Sequence, residues 1–330
     1  MKILGFMKNQ QRILRFISGV FVCLTISIFL TACNQKESLL RIASNVWPGY
    51  ELMYLARERK YFDEKEIRLV EVPSATAAIQ SLAAGNIEGA MLTLDEVLTA
   101  RAEGLELVVV AVLDNSVGAD VLMASPTIND LSSLKGKRIG VEKSAVGAVM
   151  LDAVLQKAEL SADDVQLVYM TVNKHKSAYI NKNVDALVTF EPVKTQVAKA
   201  GAKLLFDSSQ IPGRIIDVLA VLPEAIKNNP KAIAKLIDSH FKARADYMAK
   251  PLDASIILSK RLQINPEEVP SSYEGIELPG VKENKSMLAG TNPLLKNSAQ
   301  ELVTVMQRAK LLQGDITLDH LIDSAFLPKL

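Results

Sequence analysis

Cysteine is almost missing from this 330-residue chain, and both copies, Cys23 and Cys33, fall within its first 33 residues. The body of the protein therefore has no disulfide framework and no thiolate metal or iron–sulfur site. Histidine is scarce too. His175, His240 and His320 lie far apart in sequence, without the paired spacing of a metal site, and read as surface or capping residues. Charge of one sign is lacking as well: 38 Lys and Arg face 37 Asp and Glu. No basic stripe invites a nucleic acid or an acidic lipid surface. Also absent are a Gly-x-Ser-x-Gly elbow, a Gly-x-x-x-x-Gly-Lys phosphate loop, a dinucleotide fingerprint and a His-Glu-x-x-His metal helix. Those absences remove the commonest routes to hydrolase, nucleotide and metalloprotease chemistry.

One long apolar run is present, at the start. The first 32 residues carry four cations (Lys2, Lys8, Arg12, Arg15) and no acid, and end in "FISGVFVCLTISIFLTA". This is the charge and hydropathy pattern of a signal peptide, followed by a tether at 33–38. A short uncleaved anchor is the alternative, since about 17 apolar residues is the lower limit for crossing a bilayer. "LTAC", Leu30 to Cys33, resembles the bacterial lipobox, which implies a triacylated Cys33 held in the membrane. Without residues 1–32 the charge balance turns slightly acidic.

Beyond the tether, strand and helix signals alternate. "LLRIASNVW", "EIRLVEV", "IEGAMLTL" and "LELVVVAVLD" read as strands, with amphipathic helices between them ending at Gly85 and Gly104. A second series follows from "LSSLKGKRIGVE" to "AKLLFD", and the rest, from "PEAIKNNPKAIAKLIDSHF" on, reads mostly helical. Short apolar strands alternating with helices indicate βαβ units and mainly parallel sheets. Two extended segments, "GADVLMASP" and "IIDVLAVLP", echo each other, with Asp120 matching Asp217. They read as two strands joining two lobes: lobe 1 from 39–122 and 216–330, lobe 2 from 123–215.

A further echo concerns chemistry. "NIEGAMLTLDEV" and "NVDALVTFEP" each run a buried strand into Thr (Thr93, Thr189), one apolar residue and a carboxylate (Asp95, Glu191). In open α/β sheets, ligands bind beyond the carboxyl ends of the strands. Two facing corners would aim Asp95 and Glu191 into one cleft; otherwise both acids cap helices, favoured by the dipole.

With two α/β lobes and a lipobox, "RIASNVWPGYELMYLARERKYF", "SATAAIQSLAAGNIEGAMLT", "LSSLKGKRIGV" and "TFEP" resemble the solute-binding proteins of bacterial ABC importers. The nearest branch is the one associated with nitrate, alkanesulfonate, taurine and pyrimidine-precursor uptake. The resemblance runs from about Leu40 to Leu312. It implies an α/β, type II periplasmic-binding-protein fold that closes on its ligand, a permease and its ATPase as partners, no cofactor, and a monomer lipid-anchored outside the cytoplasm.

Carried over position by position, the resemblance implies a pocket built from "NVWPGY" (Trp47, Tyr50), "PSATA" (Ser74, Thr76), the corner with Thr93 and Asp95, Asp120, "EKSAVG" (Ser144), and "TFEP" (Glu191). Each has a competing structural role. Ser74 and Ser144 suit helix N-caps, Tyr50 and Trp47 suit a core, and Asp120 and Asp217 suit the backbone groups of their joining strands, which leaves Asp217 outside the expected pocket. Facing carboxylates disfavour nitrate or a simple alkanesulfonate. They suit a taurine-like zwitterion, an amino-pyrimidine or an amine. A sensory binding protein that presents its ligand to a membrane receptor would carry the same cleft. An enzyme on this fold is the remaining alternative, but the related fungal-type pyrimidine synthase needs an iron-binding cysteine cluster.

Overall fold

The computed structural model describes residues 37–330 apart from 144, 315 and 330. The signal segment, the lipobox at Cys33 and Ser144 lie outside the described residues. Among those described, no helix is long and apolar enough to cross a membrane.

Two sheets form, and the chain passes between them twice. The first has the order β11-β4-β10-β3-β1-β2, where β11 is the short Ile276–Glu277, and the second β7-β6-β8-β5-β9. In the first, β1 (Leu40–Ser44) lies parallel between β2 (Ile67–Glu71) and β3 (Gly89–Thr93). The second repeats that arrangement, with β6 (Arg138–Val141) parallel between β7 (Gln166–Tyr169) and β8 (Ala186–Thr189). The connecting helices α1 (Glu51–Glu58), α2 (Ala75–Ala83) and α3 (Leu94–Ala102) cross over the first sheet. In the second, α4 (Ala145–Lys157), α5 (His175–Ile180) and α6 (Val193–Lys199) do the same.

The echoed segments are the inserted strands. After β4 (Val108–Ser116) the chain enters the second sheet as β5 (Val121–Ala124), antiparallel to both β8 and β9 (Lys203–Asp207). It returns as β10 (Ile216–Val221), antiparallel to both β3 and β4. The sheets are therefore mixed: most strands of each run in one direction, and the inserted strand runs against them. A strand arriving from the other sheet enters at the carboxyl end of its neighbours, so it can pair only head to tail with them. The apolar residues of β10 are buried without interruption, as a central strand packed on both faces requires.

After α7 (Pro223–Asn228) the helical remainder, which includes α9 (Pro251–Leu262) and α10 (Val269–Ser272), closes over the first sheet. The 20-residue α8 (Pro230–Ala249) packs on α1, and α12 (Leu294–Arg308) packs on α3. Between them Asn284, on α11 (Val281–Leu288), is fully buried and brackets Val112 of β4. It accepts from the Val112 N–H at 2.8 Å and donates to its carbonyl at 3.0 Å. Gly85 and Gly104 end α2 and α3 with φ of 70° and 91°, the left-handed termination that glycine adopts at least cost.

Candidate functional site

Strand register places three polar side chains in a row. Asp217 of β10 sits opposite Thr93 of β3 on one side and Asp114 of β4 on the other. All three lie at the carboxyl end of β3, where α3 begins. Across from them, Val121 of β5 pairs with Thr189 of β8, so Asp120 and Phe190 stand at the matching edge of the second sheet.

A small cavity of about 30 Å³ occupies the space between these edges. The first sheet contributes Trp47, Tyr50, Glu96 and Asp217 to its wall, and the second side contributes Glu142 and Phe190, with Asp120 at the crossing. The two sides touch. Trp47 meets Phe190 edge-on, with ring centroids 5.3 Å apart, and the Thr76 hydroxyl donates to Glu142 at 2.9 Å. A neighbouring space of about 20 Å³ lies deeper on the second side, beside His175 and Thr189.

Trp47 belongs both to the first core and to the cavity wall. Its indole N–H reaches both carboxylate oxygens of Asp114, at 3.1 and 3.3 Å. Gly49 makes that contact possible: a Cβ there would stand 1.8 Å from Asp114 Oδ2 and 2.8 Å from the indole nitrogen. Here the glycine serves close approach, not an unusual backbone angle. Tyr50 donates its hydroxyl to Asp217 Oδ1 at 2.5 Å. The other oxygen, Asp217 Oδ2, has no hydrogen-bond donor among the described residues. Asp217, assigned from sequence to its own backbone, is thus a wall residue.

The remaining flagged positions divide. Ser74 caps α2, accepting from the Ala77 N–H at 3.2 Å. Thr76 faces the second side through Glu142. At the Thr93 corner the wall residue is Glu96, not Asp95. Glu96 Oε2 accepts from the Thr93 N–H at 3.0 Å, which swings the carboxylate back over the strand end, while its Oε1 has no donor among the described residues. Asp95 is fully buried one residue away from that wall. Glu191 turns into its own helix, accepting from the Thr195 hydroxyl at 3.0 Å and the Thr195 N–H at 3.2 Å. Phe190 takes the wall position in its place. His175 and His240 are buried rather than at the surface; His175 shares a hydrogen bond with the Thr189 hydroxyl at 3.1 Å.

Electrostatically the site is one-sided: no Lys or Arg stands on the cavity wall among the described residues. Burial lifts the Asp114 carboxyl to about 7 against the pull of the Trp47 N–H, and Asp120 to about 6 against the Ser116 hydroxyl. Asp95 is likewise raised to about 7 by burial. Glu96 and Asp217 go well above the usual carboxylate range, through burial first and then the charge of Asp95 and Asp114 respectively. Burial raises Glu142 as well. Such a cluster holds shared protons until something supplies positive charge or several N–H donors.

The family model described as "NMT1/THI5 like" matches residues 47–254, more than half of the chain. A putative aliphatic sulfonates-binding protein of Escherichia coli (strain K12) is 27% identical over 216 residues, covering 62% of this chain and 66% of that protein. A protein of the same description from Bacillus subtilis (strain 168) is 22% identical, covering 94% and 96%. Among solved structures, the alkanesulfonate-binding protein SsuA from Xanthomonas axonopodis pv. citri, bound to MOPS, superposes with a TM-score of 0.74 at 17% identity, over 88% of this chain and all of that one. The desulfurization enzyme DSZB shares the fold more loosely, with a TM-score of 0.60 at 16% identity over 88% of this chain and 97% of that one.

Proposed function

The chain belongs to the NMT1/THI5-like family with the periplasmic-binding-protein fold, and on that footing we propose that it is an extracytoplasmic solute-binding protein serving an ABC importer. It captures a small molecule between its two sheets and hands it to the permease. The sulfonates-binding descriptions of two relatives support a binding protein over an enzyme.

One observation carries the choice of ligand. Glu96, Asp120, Glu142 and Asp217 are buried on the cavity wall, with Asp114 paired behind Asp217, and no Lys or Arg stands on that wall among the described residues. The ligand therefore presents an ammonium group or several N–H donors, as an amine, an amino-pyrimidine or a taurine-like zwitterion does. A plain sulfonate would bring a second negative charge into the cluster.

A thermal-shift panel of amines, amino-pyrimidines, taurine and simple alkanesulfonates tests this on the chain starting after Cys33. A true ligand at a hundred times its dissociation constant adds about 2.7 kcal/mol of stability. Stabilisation by simple sulfonates alone would refute the cationic reading.

The lipid anchor belongs to the same proposal. Cys33 after "LTA" is acylated and holds the binding protein at the membrane. Cys33→Ser is expected to move the protein into the soluble fraction; a variant that stays with the membrane would mean an uncleaved apolar anchor.

A further inference from the structure

The inner cavity is too small for a whole ligand. About 30 Å³ is room for two or three water molecules, enough for an ammonium or amino group with its nearest atoms. Beside it lies a groove of about 580 Å³, well within the range of small-molecule sites. The two spaces share a wall, because Glu96 and Glu142 line both. The groove runs between α2 and α3 on one side and α4 and β7 on the other. Ile79, Ala100, Leu151, Leu155 and Leu167 give it an apolar stretch, while Glu103, Lys143, Asp152 and Lys310 also stand on its wall.

The shared wall is also where the polar demand is concentrated. Glu96 is 2% exposed, and its Oε1 has no donor among the described residues. Glu142, beside it, is held by the hydroxyl of Thr76, which itself lines the groove. A buried, unpaired carboxylate oxygen costs free energy until a donor reaches it. An apolar surface extending from that same point offers burial to whatever the donor is attached to.

We propose that the groove is a second subsite, and that the ligand has two parts: a cationic head held in the inner cavity by Glu96, Glu142 and Asp217, and an apolar tail lying between α2, α3 and α4. This rests on the cationic reading above and adds the tail.

The test is calorimetry on the full chain in nanodiscs of zwitterionic lipid, with empty nanodiscs as the blank. The probes are methyl-, butyl- and hexylammonium and the matching alkanesulfonates. Affinity for the ammonium series is expected to rise roughly threefold per methylene, about two-hundredfold over the five methylenes from methyl to hexyl, as each group leaves water. Ala148→Phe, which puts a ring into the groove from α4, is expected to collapse the hexyl-to-methyl ratio towards one. The chain-length series of the unaltered protein decides the matter even if that variant does not fold. Ammonium binding that ignores tail length would overturn the tail subsite and leave the cationic function standing. Length dependence confined to the sulfonates would overturn the head assignment and the function reading with it. No binding by any ammonium would overturn both.

Discussion

Replacing Asp217 with Asn is expected to stabilise the unliganded protein by about 1–3 kcal/mol while weakening capture of a cationic ligand roughly ten- to a hundredfold. The opposite signs follow from one geometry. Asp217 is 2% exposed and lies across the ladder from Asp114, so its charge is opposed by lost hydration and then by its neighbour. Keeping it protonated near neutral pH, when the unfolded chain would ionise it, subtracts from folding free energy. An amide is nearly the same shape. Its carbonyl oxygen still accepts from Tyr50, its NH₂ can donate to Asp114, and it carries no charge. The ligand loses a charge-assisted bond at the same time. Urea titration of both proteins and calorimetry with the best ligand of the panel measure the two effects. A destabilised variant with unchanged affinity would make Asp217 a structural partner of Tyr50 and nothing more.

Much of the fold was legible because its signals are local. The repeated strand-to-helix corners, the glycines after α2 and α3, and the two Asp-Val-Leu segments each constrain a few adjacent residues, and each became an element close to its expected bounds. Strand direction was not local. β5 and β10 read as ordinary buried strands, and only their arrival from the opposite sheet makes them antiparallel.

The cavity wall was legible to within a residue or two, and the differences share a cause. Matching the corners by the acid after Thr picked Asp95 and Glu191. Yet "TLDE" is also the Thr-x-x-Glu capping box, in which the third helical residue reaches back to the cap N–H. That pattern identifies Glu96 as the acid turned towards the strand end, and the structure places it there. In the second corner Pro192 follows the acid directly, no such box exists, and Glu191 satisfies its own helix while Phe190 points at Trp47. Asp114 carried the strand-end signal too, at the close of a long apolar strand, but has no echoed partner. Glu142 opens the "EKSAVG" stretch that was flagged for its serine. Its bond to Thr76 joins elements 66 residues apart, a distance no local pattern spans.

Raising the pH from 6.5 to 8.5 is expected to destabilise the unliganded protein and tighten its grip on a cation. In the unfolded chain every carboxyl is ionised throughout this window. In the folded protein Glu96 and Asp217 keep their protons well above the usual range, and Asp95 and Asp114 let theirs go only near 7. The native state thus binds more protons than the unfolded one, so stability declines as pH rises. The slope is about 1.4 kcal/mol per pH unit for each proton retained. Below 6.5 the buried histidines act the other way. Burial depresses His175 to about 4 and His240 to about 3, so each is neutral when folded but charged when unfolded between those values and 6.5. Their contribution therefore grows with pH up to that point and is flat above it, which leaves the higher window to the carboxylates. Ligand binding reverses the sign. A cation requires the ionised cluster, so capture at pH 6.5 must expel protons that are partly gone by 8.5, and affinity climbs with pH. Melting curves across the window, with calorimetry in two buffers of different ionisation enthalpy, measure both the slope and the protons released. Melting temperatures that rise towards pH 8.5, with no proton release on binding, would mean that these acids are ionised without a ligand and that some other charge neutralises them.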